Sequence, residues 1–150
     1  MGLRSGKLLW EYWIGYRVWS VAISSDGEYI VAGSNKGNVY LFNREGKLLR
    51  KYETDSIVES VAISSDGKYI VARSGDNNIY LFNREGKLLW KYRTGDVVYS
   101  VAITPDGKYI VAGSKDKNVY LFNREGELLW KYKTDGCVKS VAITPDGKYI

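Results

Sequence analysis

The 150-residue sequence contains no histidine and one cysteine, Cys137. A disulfide within the chain and a metal cluster held by cysteines are therefore excluded, and imidazole is absent as a catalytic base or metal ligand. No apolar run approaches the roughly 20 residues that a membrane-spanning helix requires. Residues 1–6 are too few for a secretory signal and lack a myristoylation pattern. We expect no cofactor, no metal and no membrane partner, and the cytoplasm is the default location.

Charge is the second compositional signal. The chain has 22 lysines and arginines against 17 aspartates and glutamates, which gives a net charge of +5. This balance permits attraction to acidic partners. The basic residues are spread evenly through the sequence, however, so we do not expect a nucleic-acid partner. The content of 45% hydrophobic and 26% charged residues is typical of a globular protein.

The dominant feature is a repeat with a fixed period of 40 residues. The tripeptide Val-Ala-Ile begins at positions 21, 61, 101 and 141, with no insertion or deletion between copies. A period of this length is typical of an array of stacked supersecondary units. The single domain therefore divides into an orphan outer strand and link at 7–20, complete repeats at 21–60, 61–100 and 101–140, and a partial repeat at 141–150.

Each repeat has the pattern of four short strands, rich in Val, Ile, Tyr, Leu and Trp. In the second copy these runs are 60–63, 69–74, 78–83 and 87–92. Ser-Ser-Asp-Gly or Thr-Pro-Asp-Gly joins the first two runs and Asn-Arg-Glu-Gly the last two, and both favour tight turns. The pattern predicts an antiparallel meander. The aspartates of the first turn are expected to be structural rather than catalytic: Asp26, Asp66, Asp106 and Asp146.

The distribution of apolar residues predicts how the strands pack. The second and third strands are apolar on both faces, as in a sheet that is covered on both sides. The fourth strand carries lysines, which discourage pairing at an edge. The sequence therefore predicts an all-β protein, a β-propeller built from four-stranded antiparallel blades.

Particular segments resemble known repeats. The sequence from Val101, V-A-I-T-P-D-G-K-Y-I-V-A-G-S-K-D-K-N-V-Y-L-F-N, resembles the first three strands of a WD-repeat blade. Residues 119–130, V-Y-L-F-N-R-E-G-E-L-L-W, are similar to the PQQ-like repeat of quinoproteins. The Gly-His and Trp-Asp dipeptides of the WD-repeat family are absent, and Arg50 stands where later copies have Trp90 and Trp130. The first resemblance implies seven blades and the second implies eight.

The two ends of the chain predict self-association. Residues 8–12 would form an outer strand, and residues 141–150 a first strand and part of a second, which gives about 3.5 blades per chain. An open array would expose the apolar faces of its terminal blades, and large apolar patches are rare on monomers. We therefore predict a homodimer whose two chains close one ring of seven or eight blades. A monomeric four-bladed ring is the alternative.

The copies differ from one another mainly at one rim of the predicted ring. The variable positions lie in the turn between the second and third strands and in the link to the next repeat, which meet at the same end of a meander. Loops on a rigid scaffold commonly carry binding residues. The candidate rim residues are Trp19, Glu59, Tyr99 and Lys139 at the entry to the innermost strand, Arg73 on the second strand, and Lys36, Asp76 and Asp116 in the turn.

These features favour a non-enzymatic scaffold for protein–protein interaction and self-assembly. Its partners would be further copies of the chain and a protein or peptide at the rim. One alternative is an engineered or excised propeller fragment with no separate biological role. A second follows from the PQQ-like resemblance, which implies an oxidoreductase with a quinone and a calcium ion, although the chain lacks the adjacent cysteine pair of that family.

Overall fold

The computed structural model describes residues 6–150. These residues form twelve β-strands. The strands are β1 (Val18–Ile23), β2 (Tyr29–Ser34), β3 (Asn38–Asn43), β4 (Leu48–Glu53), β5 (Val58–Ile63), β6 (Tyr69–Ser74), β7 (Asn78–Asn83), β8 (Leu88–Arg93), β9 (Val98–Ile103), β10 (Tyr109–Ser114), β11 (Asn118–Asn123) and β12 (Leu128–Lys133). No helix in this part of the chain is long and apolar enough to cross a membrane.

The strands form three antiparallel sheets of four consecutive strands each: blade 1 (β1–β4), blade 2 (β5–β8) and blade 3 (β9–β12). The predicted meander is therefore confirmed. The first strand is two residues longer than predicted, because Val58 pairs with Ser74 across a β-bulge. The last strand begins and ends one residue later than predicted, at Leu88 and Arg93.

The turn between the first two strands of each blade is held by its aspartate. In blade 3 the Oδ1 atom of Asp106 accepts hydrogen bonds from the Thr104 hydroxyl at 2.8 Å and from the Lys108 N–H at 2.9 Å. These bonds hold the pKa of Asp106 below its ordinary value. Gly107 follows with φ of 68°, a left-handed conformation that glycine adopts readily. The structural role predicted for the turn aspartates is confirmed, since the other three copies repeat the bonds to Asp26, Asp66 and Asp146.

Successive blades pack face to face through apolar side chains. Val58 and Val61 of β5 are buried against Val39 and Leu41 of blade 1. In the same way, Val98 and Val101 of β9 pack against Ile79 and Leu81 of blade 2. Because each blade has two apolar faces, it is stabilised on both sides only when it lies between neighbours. The predicted all-β fold, with the stacked blades of a partial β-propeller, is confirmed.

The two predicted end strands differ from the sequence-based expectation. Residues 8–12 and residues 141–150 form no strand. A strand needs a partner for its backbone hydrogen bonds. Among the described residues, neither segment is paired with a strand of the three sheets. Both segments nevertheless lie on the blades next to them.

The third residue of the outer strands β4 and β8 docks on the following blade, and Trp10 of the N-terminal segment docks on blade 1 in the same way. The indole N–H of Trp90 donates to the Arg124 carbonyl oxygen at 2.8 Å. Trp10 makes the equivalent bond to the Arg44 carbonyl oxygen, also at 2.8 Å. Arg50 replaces the tryptophan in blade 1 and keeps the contact, because its Nε donates to the carbonyl oxygen of Glu85 at 3.2 Å.

Candidate functional site

The innermost strand of each blade contains a β-bulge at its second residue. In blade 1 Val18 pairs with Ser34 and Ser20 with Gly33, so Trp19 between them has no cross-strand partner. The equivalent bulged residues are Glu59 in blade 2 and Tyr99 in blade 3. Bulges redirect a side chain relative to its sheet. The first three of the four predicted entry positions therefore share one local geometry, whereas Lys139 lies outside the strands and is exposed.

Arg73 and Glu59 form a charge pair at the joint between blades 2 and 3. Arg73 Nη1 donates to Glu59 Oε2 and also, at 2.7 Å, to the carbonyl oxygen of Val98 in β9. The two side chains are 12% and 19% exposed. Blades 1 and 3 carry glycine at the position of Arg73. The structure therefore joins two of the predicted rim residues in an interblade contact that occurs in blade 2 alone among the described blades.

Asp116 ties the turn of blade 3 to the link that precedes this blade. Its carboxylate accepts hydrogen bonds from the Tyr120 hydroxyl and from the Gly95 N–H, the latter at 2.9 Å. Burial by itself would raise the pKa of Asp116, but the bonds from Tyr120, Asn118 and Gly95 more than offset it, and the pKa lies below its ordinary value. Burial and the nearby carboxylate raise the pKa of Tyr120, which stays a hydroxyl donor.

Asp76 has the same place in blade 2. The Tyr80 hydroxyl lies within hydrogen-bond distance of Asp76 and of Asp55 in the link, 3.1 Å from the latter. Lys91 Nζ lies 3.2 Å from the same Asp55 carboxylate oxygen. The carboxylates of Asp76 and Asp116, predicted as rim residues, therefore fix loops in position.

Blade 1 lacks this arrangement, because Lys36 stands in the turn where the later blades have aspartate. Its ammonium group lies 5.6 Å from the centre of the Tyr16 ring, a cation–π contact. Trp13 is 91% exposed, and Tyr16 and Trp19 are each half exposed. The later links have no aromatic residue at the positions of Trp13 and Tyr16. The rim of blade 1 is therefore a surface of aromatic side chains beside a lysine.

Sequence reasoning missed a set of hydroxyl groups that hold the rim together. The Thr94 hydroxyl lies 2.9 Å from the Asn77 carbonyl oxygen, and the Ser114 hydroxyl donates to the Asp96 carbonyl oxygen at 3.1 Å. These residues connect each turn to the neighbouring link. The signal was present in the sequence, since both positions are invariant in the three complete copies: Ser34, Ser74, Ser114 and Thr54, Thr94, Thr134.

The loop anchor in blade 3 gives a prediction about pH. The Asp116→Asn variant is expected to lose about 1 kcal/mol of unfolding free energy at pH 7, because a charged acceptor becomes a neutral one. A carboxylate with a lowered pKa stabilises the fold above the unfolded-state pKa of about 4 and loses this effect as the pH falls through the folded-state pKa. The difference between the unmodified chain and the variant should therefore shrink below about pH 4.

Urea titrations at several pH values would measure this difference, with Lys36→Ala in blade 1 as the matched control. The control removes the equivalent turn residue where no carboxylate is present. A deficit of Asp116→Asn that persists unchanged at pH 2–3 would contradict the role of the charge.

No group of three or more acidic or cysteine side chains within residues 6–150 has the arrangement of a metal site. The geometry is that of a rim of loops, fixed by hydroxyl and carboxylate groups, on stacked four-stranded blades. This combination defines a partial β-propeller, with the loops that differ between the copies at one rim.

Comparison with protein-family models agrees with this class. Residues 58–143, more than half of the chain, match the model described as lambda-carrageenase beta-propeller domain. The chain therefore belongs to this family of propeller domains. Residues 7–43 match the model described as WD domain, G-beta repeat, which confirms the resemblance to WD repeats. The resemblance to PQQ-like repeats stays a prediction. A comparison with curated proteins found no match.

Proposed function

We propose that the chain is a non-enzymatic scaffold that binds further copies of itself through its end blades and offers its loop rim to a protein or peptide. WD domains in general are non-catalytic scaffolds for protein interactions, which supports a non-enzymatic role in protein binding. The observation that supports self-assembly is the exposure of apolar side chains at both ends of the array. We call these two end surfaces the leading face and the trailing face.

The leading face is the surface of blade 1 that points away from blade 2, and it includes Val21 and Ile23 of β1. These two side chains are 65% and 61% exposed, whereas Val61 and Val101, the equivalents of Val21 in the other blades, are only 6% and 7% exposed. The equivalents of Val21 in blades 2 and 3, each of which follows another blade, are therefore buried. A second chain that supplied such a blade would bury both side chains.

The trailing face is the opposite surface of blade 3, and it includes Trp130 and Tyr132 of β12. These side chains are 41% and 65% exposed. Tyr52, the equivalent of Tyr132 in blade 1, is 4% exposed because it packs on Phe82 of blade 2. Burying one large apolar side chain contributes about 1.5–3 kcal/mol. Pairing the leading face of one chain with the trailing face of another would therefore favour association. The sequence-based prediction is that two chains close one ring of seven or eight blades.

A charge on the leading face tests this proposal. We expect the Val21→Asp variant to associate at least about tenfold more weakly than the unmodified chain, because docking would bury an unpaired carboxylate. Sedimentation equilibrium over a range of concentrations measures the effect. Leu88→Asp is the matched control, since Leu88 is an exposed residue of the middle blade that lies on neither face. A folded species of 17.0 kDa at every concentration would contradict self-assembly.

The aromatic rim of blade 1 supports the second part of the proposal. Tryptophan and tyrosine are enriched among residues that dominate binding energy, and Trp13, Tyr16 and Trp19 are all accessible. Peptides selected from a random library for binding to the chain are expected to lose affinity for the Trp19→Ala variant and to keep it for Leu88→Asp. Selected peptides that bind Trp19→Ala unchanged would place the binding surface elsewhere.

A further inference from the structure

The segment at each end of the chain copies the strand at the opposite end. Residues 8–12 read Leu-Leu-Trp-Glu-Tyr, and residues 128–132 of β12 read Leu-Leu-Trp-Lys-Tyr. Residues 138–143 read Val-Lys-Ser-Val-Ala-Ile, and β1 reads Val-Trp-Ser-Val-Ala-Ile. Each pair differs at one position. The terminal segments therefore carry the side chains that a neighbouring copy of the chain would bring.

The N-terminal segment, residues 6–16, uses these side chains on the leading face. Trp10 and Tyr12 pack on the Phe42 ring, with centroid distances of 5.8 and 4.9 Å. In the joint between blades 2 and 3, Trp90 and Tyr92 pack on Phe122 at 5.4 and 4.8 Å. The segment thus reproduces the outer half of a native blade joint, without the strand pairing that supports Trp90 and Tyr92.

The C-terminal segment, residues 138–150, reproduces the inner half on the trailing face. The Val141 N–H donates to the Ser100 hydroxyl at 3.3 Å, as the Val61 N–H donates to the Ser20 hydroxyl at 3.1 Å. A Cβ atom placed on Gly113 would lie 2.6 Å from the Val138 side chain, as one on Gly33 would from Val58. Each terminal segment therefore occupies the site on which the equivalent strand of another blade would dock.

Trp130 on the trailing face lacks, within the described residues, the hydrogen bond that its equivalents make. Its equivalents Trp10 and Trp90 each donate the indole N–H to a turn carbonyl oxygen at 2.8 Å. Within residues 6–150 the indole N–H of Trp130 has no such acceptor. The matching acceptor at the other end of the array is the Arg44 carbonyl oxygen, which Trp10 already uses.

We propose that blade 3 of one copy docks directly on blade 1 of the next, and that its Trp130 and Tyr132 displace Trp10 and Tyr12 from the Arg44 carbonyl and the Phe42 ring. This inference rests on the self-assembly proposed above. The terminal segments are stand-ins that cover parts of both faces until a second copy replaces them. With the three blades that the described residues form in each copy, two copies of this 150-residue chain would bring six blades and three copies nine, rather than the seven or eight expected from the sequence.

Two observations favour displacement over a shared blade made from both terminal segments. First, a shared blade would lack its third strand, so Trp130 and Tyr132 would stay without the ring and carbonyl on which their equivalents dock. Second, β12 is already paired with β11, whereas the N-terminal segment forms no strand. Docking of a strand that is already paired costs less conformational entropy than forming a new strand from an unpaired segment.

The test compares single substitutions in the 150-residue chain by sedimentation equilibrium. Trp10→Ala weakens the stand-in and leaves every residue of the incoming blade intact. If the segment occupies the site about nine-tenths of the time, association should become about tenfold tighter. Leu8→Ala is the matched control, because Leu8 is exposed and lies in the same segment but not in the rim, and it should change nothing. Trp130→Ala should weaken association about tenfold, because it removes the incoming anchor.

The outcomes separate this inference from the proposal on which it rests. If the unmodified chain associates and Trp10→Ala associates equally or more weakly, direct docking is wrong while self-assembly stands. If the unmodified chain is monomeric and Trp10→Ala associates, self-assembly of the unmodified chain is wrong, while the stand-in role of the N-terminal segment is supported. If both remain at 17.0 kDa, both proposals fail. Should Trp10→Ala not fold, Tyr12→Ala takes its place, since Tyr12 contacts the same Phe42 ring.

Discussion

The Glu59→Ala variant is expected to lose about 3 kcal/mol of unfolding free energy, because it leaves a largely buried guanidinium group without its counter-charge. Arg73 is only 12% exposed, and its Nη1 is held between the Glu59 carboxylate and the Val98 carbonyl oxygen. Its Nε is buried and has no hydrogen-bond partner among the described residues. Without the carboxylate, the only remaining acceptor shown for this side chain is a single carbonyl. Urea unfolding with an unchanged m-value would measure the loss.

The other blades supply the control for this prediction. Blade 3 has Tyr99 and Gly113 where blade 2 has Glu59 and Arg73. The double variant Glu59→Tyr/Arg73→Gly therefore installs a combination that the chain already tolerates, and it should recover most of the stability. Arg73→Gly alone should cost less than Glu59→Ala, since Glu59 is nearer to solvent. A loss below about 0.5 kcal/mol for Glu59→Ala would show that the pair behaves like an exposed ion pair.

The strands and turns could be predicted from the sequence because local signals repeat without interruption. Asp106 and Gly107 specify the same turn in blade 3 as their equivalents do elsewhere, through hydrogen bonds within five residues. Strands that are apolar on both faces then require a neighbouring blade on each side, which is enough to predict stacked blades. The terminal segments could not be predicted in this way, because whether residues 8–12 form a strand depends on a pairing partner and not on their own composition.

The contacts of the candidate rim residues could not be predicted from the sequence, and their role in binding stays a prediction. Asp76 and Asp116 were identified because their turn varies between copies. No nearby sequence pattern indicated that the tyrosine four residues later would donate a hydrogen bond to each carboxylate. The charge pair of Arg73 and Glu59 depends on a bulge that redirects the glutamate, and the repeat pattern gave no sign of that bulge. These contacts are set by tertiary geometry, whereas the turns are set by adjacent residues.

Phe122→Ala is expected to lose about 4 kcal/mol of unfolding free energy, among the largest effects for a single side chain in the array. Phe122 is fully buried in blade 3. The rings of Trp90 and Tyr92 pack on it from blade 2, and both side chains are held on a paired strand. The cavity left by the substitution therefore has rigid walls and cannot collapse easily.

Phe42→Ala removes the same ring from the equivalent position in blade 1 and is the matched control. Its cover consists of Trp10 and Tyr12, which belong to a segment without strand pairing. This segment can move into the space or detach, so the loss should be smaller than that of Phe122→Ala by about 1 kcal/mol. Urea titrations of the two variants under identical conditions give the comparison. Equal losses would mean that the N-terminal segment is held as firmly as β8, and its displacement by a second copy would then be unfavourable.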